Sequence, residues 1–241
     1  MMLTALYEYA KREGLLEDTD YEPRRIDLVI KLKRDGSYLG LVPTPEKGLV
    51  LRVPRLETRT VAIAPGFLVD NAKYVLGLAG ADAKDKDRER AARCNAAFQE
   101  LITSALASEK SDETAAVASF ERALESNLKH ILEDRPQEQW TGSENLAFDV
   151  DGSWAHESQG ARNAWAAMRA QSSSSLAAVR CLVTGGVRPP ELKHPPIKRM
   201  PGTQQAQTML VSFNAPAFTS MHFEQAQNAP VSREGAEGYV T

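Results

Sequence analysis

Arg24–Pro43 reads RRIDLVIKLKRDGSYLGLVP, and this stretch decides the fold. Apolar and charged residues alternate on both sides of Asp35-Gly36, the period of half-buried strands joined by a turn dipeptide. The pattern predicts a β-hairpin. Residues 48–56, GLVLRVPRL, supply a third strand. Upstream, MMLTALYEYAKREGLL at residues 1–16 spaces its apolar residues at helical intervals with charges between them, as a surface helix does. Downstream, the basic loop LETRTVAIAPG (residues 56–66) leads into FLVDNAKYVLG (residues 67–77). There Asp70 is placed to cap a short helix that Gly77 ends.

From Asp82 the period becomes helical. DAKDKDRERAARCNAAFQELITSAL (residues 82–106) predicts a helix with Ala92, Ala96, Phe98, Leu101, Ile102 and Leu106 on one face. SDETAAVASFERALESNLKHILEDR (residues 111–135) predicts a second, capped by Ser111 and stopped by Pro136. Together they form an inserted helical hairpin whose charged outer positions face solvent. ENLAFDVDGSWAHES (residues 144–158) is another strand hairpin, turning at Asp151-Gly152. A helix over QGARNAWAAMRAQ (residues 159–171), a short strand in AAVRCLVTG (177–185) and an irregular stretch over 186–207 follow. Last come a strand TMLVSF (208–213) and REGAEGYVT (233–241), a helix start behind Ser232 that completes no apolar face of its own. The expected class is α+β: a mixed or antiparallel sheet with an inserted helical hairpin and long irregular loops. Residues 1–241 read as one domain, strand-rich at 20–70 and 145–232 and helical at about 80–136.

With 42% hydrophobic and 25% charged residues the chain has a soluble globular composition. No run reaches the roughly 18–20 apolar residues that span a bilayer, and the N-terminus lacks a secretory pattern. Two cysteines, Cys94 and Cys181, are too few for a disulfide framework and suit a cytoplasmic protein. The net charge of −3 is unevenly spread. Residues 25–69 carry 8 Lys/Arg against 4 Asp/Glu, residues 70–169 carry 12 against 18, and residues 170–223 carry 5 against 1. Two basic segments thus flank an acidic middle, and the basic segments are where an anion such as nucleic acid is expected to dock.

Catalytic signatures are missing from the sequence. There is no P-loop, dinucleotide fingerprint, HExxH or paired-acid motif. Of the four histidines, His130, His156, His194 and His222, His130 reads as a surface helix residue and His156 as packing near Trp154, neither with the local spacing of a triad or a metal pair. Cys181 and His194 bracket a glycine turn as half a zinc knuckle would, but four ligands in close pairs are needed and each lacks its mate. Cys181 therefore reads as a small buried hydrophobe at a strand end. A Cys181/His194 hydrolase is the enzyme alternative, without an orienting third group. No enzyme activity, cofactor or metal is expected. Polar residues gather instead in LKHPPIKRMPGTQQAQT (residues 192–208): Lys193, His194, Lys198 and Arg199 as cations to meet phosphates, then Thr203 and the glutamines Gln204, Gln205 and Gln207, whose amides suit base edges. Asn-Ala-Pro occurs twice nearby, at Asn214–Pro216 and Asn228–Pro230. Proline stiffens both. For Asn228 the structural role of leading into the following helix comes first; for Asn214 structure and DNA contact stay equally open.

Several stretches together resemble one family. They are LTALYEYAKREGLL (3–16), YEPRRIDLVIKLKRDGSYLGLVP (21–43), FLVDNAKYVLGL (67–78), RCLVTGG (180–186), HPPIKRMPGTQQAQTMLVSFNAPAF (194–218) and QAQNAPVSREGAEGYVT (225–241). The resemblance is to the large subunit of the type I-C CRISPR surveillance complex, Cascade: the Csd1-like Cas8 proteins. The acidic middle, roughly residues 80–145, is only loosely similar. Where family members tend to have a Lys/Arg-Ser-Ser-Gly type of loop, this chain has ETRTVAIAPG. The resemblance implies a non-catalytic antiviral subunit beside the crRNA 5′ end. It would recognise the protospacer-adjacent motif (PAM) in target duplex DNA, aid opening of the duplex and help recruit the helicase-nuclease. Its partners would be target DNA, crRNA and the other Cascade subunits. The family continues into a helical C-terminal part, so the chain reads as its N-terminal portion. The residues expected to meet DNA are Lys198, Arg199, Gln204, Gln205, Asn214 and Asn228, with Arg59, Thr60 and Asn71 as a second group. The alternative is a protein-interaction module that contacts other subunits or an anti-CRISPR inhibitor without useful DNA binding of its own.

Overall fold

The computed structural model describes residues 2–16, 20–45, 48–56, 62–173, 177–198, 202, 207–213, 223 and 225–240. The chain divides into two compact units, Asp20–Arg169 and Met1–Thr19 with Ala170–Thr241.

In the unit Asp20–Arg169 the hairpin forms where the alternation predicts it. Strand β1 (Tyr21–Ile26) precedes β2 (Leu28–Leu32), which pairs antiparallel with β3 (Tyr38–Pro43). Lys33 N–H donates to the Ser37 carbonyl at 3.0 Å, and Ser37 N–H donates to the Asp35 carboxylate at 2.8 Å. The side-chain hydrogen bond from Ser37 helps hold the Asp35 carboxyl below its ordinary range. Gly36 is required twice over. Its φ is +87°, and a Cβ there would lie 2.5 Å from the Ser119 Cβ.

The third strand, β4 (Leu49–Pro54), joins β1 in a separate antiparallel ribbon. Strand β5 (Val69–Asn71) and strand β6 (Asn145–Val150) complete the main sheet, in the order β3-β2-β6-β5, and the short β7 (Ser153–Trp154) pairs with β6. β2 and β6 run parallel. A parallel pair needs a long crossover, and the helical insertion lies within it.

The insertion comprises α3 (Asp85–Ser108), α4 (Asp112–Arg122) and α5 (Leu124–Asp134), after a short α2 (Ala72–Val75). The buried face of α3 is Ala91, Cys94, Phe98, Ile102 and Ala105, whereas Ala92 and Ala96 stand exposed. The expected face is thus rotated: alanine fits either side of a helix, and Cys94 and Ala105 are the residues that pack. Ser111 caps α4 as expected, accepting from Thr114 N–H at 3.3 Å. The expected single second helix breaks at Ala123 without Gly or Pro. There the Asn127 side chain donates to the Phe120 carbonyl at 3.0 Å, the acceptor that residue 124 would use in an unbroken helix.

Asp70 does not cap α2. It lies in β5, and its buried carboxylate instead accepts from Gly66 N–H (2.6 Å) and Asn71 N–H (2.7 Å), tying down the preceding turn. That turn holds Leu68, buried at φ +59°, a conformation costly for a non-glycine residue.

The sheet is covered on both faces. Leu28, Ile30, Leu32, Leu146, Phe148 and Val150 pack beneath the helices with Phe98, Phe120 and Trp140. Val29, Val69 and Ala147 meet Ile26, Leu51 and Val53 of the ribbon. Helix α6 (Gln159–Ser173) adds Ala161, Ala164 and Trp165 to the larger cluster.

The other unit pairs α1 (Met2–Arg12) with α7 (Arg233–Val240). The apolar face that the final segment lacks by itself is supplied by α1: Tyr7 and Ala10 are buried, as are Gly235, Ala236, Gly238 and Tyr239. A Cβ on Gly238 would fall 2.5 Å from the Tyr7 ring, so glycine sets the helix separation. Tyr7 also donates to the Glu234 carboxylate at 2.6 Å; burial and this bond push its pKa up to about 12.

Candidate nucleic-acid interface

The basic C-terminal segment folds as two small ribbons. Strands β8 (Val179–Arg180) and β9 (Val187–Arg188) pair antiparallel, with Val179 opposite Arg188 and Arg180 opposite Val187. Strands β10 (Ile197–Lys198) and β11 (Gln207–Thr208) pair likewise, with Lys198 opposite Gln207. The expected strand over residues 208–213 therefore ends at Thr208. Among the described residues, those after it share no ladder, and the partner strand β10 is two residues long.

Cys181, just past β8, is buried as expected, yet it does more than fill space. Its sulfur accepts from Ser232 N–H (3.1 Å), Ser232 Oγ–H (3.3 Å), Thr184 N–H (3.3 Å) and Val183 N–H (3.4 Å). Burial pushes the thiol up, but the hydrogen bonds from Ser232 and Thr184 outweigh it and bring the pKa down to about 7. Ser232 in turn accepts from Gly235 N–H at 3.3 Å and caps α7 as expected. The sulfur thus joins the β8–β9 turn to the start of the last helix.

The second Asn-Ala-Pro feeds this junction. Leu182 N–H donates to the Pro230 carbonyl (2.9 Å) and Glu191 N–H to that of Val231 (2.8 Å), so the segment after Pro230 is held from both sides. Asn228 closes a 3₁₀ turn over Gln225–Asn228 and donates weakly to the Phe223 carbonyl at 3.4 Å.

His194 is buried beside α7, its Nδ1 hydrogen-bonded to the Tyr239 hydroxyl; burial lowers its pKa. Cys181 and His194 are engaged by different partners, Ser232 with Thr184 and Tyr239 respectively. His130 is exposed on α5, and His156 is buried 6.2 Å from the Trp154 ring, with burial lowering its pKa to about 4. His222 lies outside the described residues. Among the described residues no three His, Cys, Asp or Glu side chains group so as to hold a metal ion, and no helix is long and apolar enough to cross a membrane.

Of the residues expected to meet DNA, Lys198 ends β10. Arg199, Gln204 and Gln205 fall in the connection between β10 and β11, outside the described residues, as do Asn214, Arg59 and Thr60. Asn71 sits at the end of β5, in the other unit from Lys198 and Asn228. It occupies the cap position of α2 without a side-chain cap bond, and its buried Oδ1 has no hydrogen-bond partner among the described residues. Sequence reasoning passed over Arg180 and Arg188, which stand exposed with Lys193; Arg188 reaches Glu234 at 4.0 Å. Their signal was present, an arginine at each end of RCLVTGGVR, the ends of an unremarked ribbon.

The family described as CRISPR-associated protein (Cas_Csd1) matches residues 3–241 of the chain, which belongs to that family. No curated protein matches it significantly.

Proposed function

From its place in the Csd1 family, we propose that the chain works in the cytoplasm as a non-catalytic nucleic-acid recognition subunit of a type I-C Cascade. It recognises the PAM in target duplex DNA, aids opening of the duplex beside the crRNA and the other subunits, and helps recruit the helicase-nuclease. The observation that carries this reading is the pairing of β10 with β11. In the sequence between these two strands stand Arg199, Gln204 and Gln205, and Arg180, Arg188 and Lys193 are exposed in the same unit. Cations position a protein on phosphates and amides read base edges.

Alanine at Gln204, Gln205 and Asn214 together tests it in the assembled complex at one fixed salt concentration. The affinity gap between PAM-bearing and PAM-less duplexes should narrow by about 1–3 kcal/mol per lost base contact. Lys198→Ala with Arg199→Ala should instead weaken both duplexes alike. An unchanged affinity ratio in the triple variant overturns the assignment of base reading to these residues.

One observation favours the second reading, a protein-interaction module. Met2, Leu6 and Tyr9 form an exposed apolar row at helical spacing on α1. DNA affinity that is absent, or insensitive to salt, would favour that module.

A further inference from the structure

The β1–β4 ribbon has two unlike faces. Its register runs from Tyr21 opposite Pro54 to Ile26 opposite Leu49. On the inward face, Ile26, Leu51 and Val53 pack on the main sheet. Glu22 and Arg24 alternate onto that face too, where they form a 2.6 Å ion pair largely hidden from solvent. The outward face carries Pro23, Arg25, Val50 and Arg52, all exposed. Pro23 lies opposite Arg52 and Arg25 opposite Val50, so the two arginines occupy diagonal positions in the register of one face. Within the two strands this face holds no acidic position; Asp27, just past β1, pairs with Arg25.

Arg25 is held rather than loose. Its stem crosses Gly48, where φ is +72° and a Cβ would fall 2.5 Å from Nε. Asp27 Oδ1 lies 3.4 Å from the same Nε, and 58% of the side chain remains exposed. The ribbon is also protected against adding a further strand, because Pro23 and Pro54 offer no N–H. A two-stranded ribbon of this kind fits the major groove of B-form DNA, whereas the A-form groove of duplex RNA is too deep and narrow.

We infer that the outward face of β1–β4 is a second DNA-contacting surface, on which Arg25 and Arg52 take backbone phosphates of duplex DNA without reading sequence. This inference rests on the nucleic-acid reading above and adds a surface in the unit Asp20–Arg169. Val50, exposed between the two arginines, supplies apolar contact in the groove.

The test is binding of the full chain to a short PAM-less DNA duplex across a salt series, followed by fluorescence anisotropy. Each phosphate contact contributes about 0.9 to the slope of log affinity against log salt, so Arg25→Ala with Arg52→Ala should flatten it by about 1.8. Arg25→Gln with Arg52→Gln keeps the stem over Gly48 and should flatten it equally, which guards against a folding defect. Arg25→Lys with Arg52→Lys should retain the slope. Lys129→Ala, an exposed cation on α5, should leave it unchanged. A DNA duplex should compete better than an RNA duplex of equal length; equal competition overturns the groove docking. If the Gln pair leaves the slope intact while Arg180→Ala with Arg188→Ala flattens it, this surface is excluded and the function proposed above stands. If the unaltered chain shows no salt-dependent DNA binding, both fall.

Discussion

The two units are stabilised by different means. Asp20–Arg169 rests on large apolar side chains: Phe67, Phe98, Phe120, Trp140 and Phe148 are all fully buried. Phe67 stacks on Trp165 with ring centroids 5.8 Å apart, and Phe120 meets Phe148 edge-on at 5.6 Å. The unit built from both chain ends has a smaller cluster of Tyr7, Cys181, Val183, Val231, Ala236 and Tyr239. Its polar ties are specific: Tyr7 to Glu234, Cys181 to Ser232 and His194 to Tyr239. Burial of apolar area is non-directional, whereas a tie through one sulfur depends on one residue. The comparison teaches that Arg180 and Arg188, exposed cations of the second unit, sit on a short ribbon where substitution disturbs little packing.

The largest test of that contrast is Phe120→Ala. Phe120 touches the sheet through Phe148 and the hairpin through Tyr38, so its loss should destabilise the chain by about 3–5 kcal/mol. Urea unfolding followed by tryptophan fluorescence measures it. A loss under about 1 kcal/mol would show that this core is not the stabilising centre.

Next in size is Glu121→Gln. Glu121 is buried between α3 and α4; Asn95 and Gln99 donate to its Oε2 at 3.2 and 3.3 Å, and Oε1 has no hydrogen-bond partner among the described residues. Burial raises its pKa from 4.5 to about 8, against the lowering by those two donors. Because the folded value lies above the unfolded one, the protonated carboxyl's stabilising contribution is complete below about 4.5. It is lost as pH rises through about 8. The neutral, isosteric Gln should remove that decline and stabilise the unit above pH 8 by about 2–4 kcal/mol. Melting curves across this pH range decide it, and parallel curves for both proteins would place a charge-stabilising partner at Glu121.

Gly238→Ala probes the smaller unit. Alanine favours helix by about 1 kcal/mol, but its Cβ would strike the Tyr7 ring, which Glu234 holds in place. Overpacking should prevail, leaving a net loss of about 1–2 kcal/mol. A gain in stability would mean that α1 and α7 separate without penalty.

How far the sequence could be read follows the same division. The hairpin around Asp35-Gly36 was legible because strand alternation and turn chemistry agree there. The long helices were legible too, although alanine-rich α3 concealed which side packs and Asn127 broke the second helix without a breaker residue. The β1–β4 pairing was not legible, since pairing across the intervening hairpin leaves no local pattern. In the other unit, strands of two residues are too short for any period. The sulfur junction at Cys181 depends on Ser232, fifty-one residues later. Of the candidate site, the residue types could be read, but the ribbons that present them could not.

The smallest expected effect belongs to Asn228→Ala, and it sharpens the question posed by the two Asn-Ala-Pro triplets. The Asn228 side chain donates to the Phe223 carbonyl at 3.4 Å in an exposed setting, a weak bond. The turn is also closed by Ala229 N–H on the Ala226 carbonyl at 3.2 Å, and the following segment is anchored through Pro230 and Val231 by Leu182 and Glu191. Backbone bonds therefore carry the geometry that the proline stiffens. Removing the amide should cost less than about 0.5 kcal/mol, as at an ordinary surface position. It should also leave the affinity ratio between PAM-bearing and PAM-less duplexes unchanged. If the ratio narrows as in the Gln204, Gln205 and Asn214 variant while stability holds, Asn228 reads a base and both triplets serve recognition. If stability falls by more than about 1 kcal/mol, the side chain rather than the backbone sets the approach to α7.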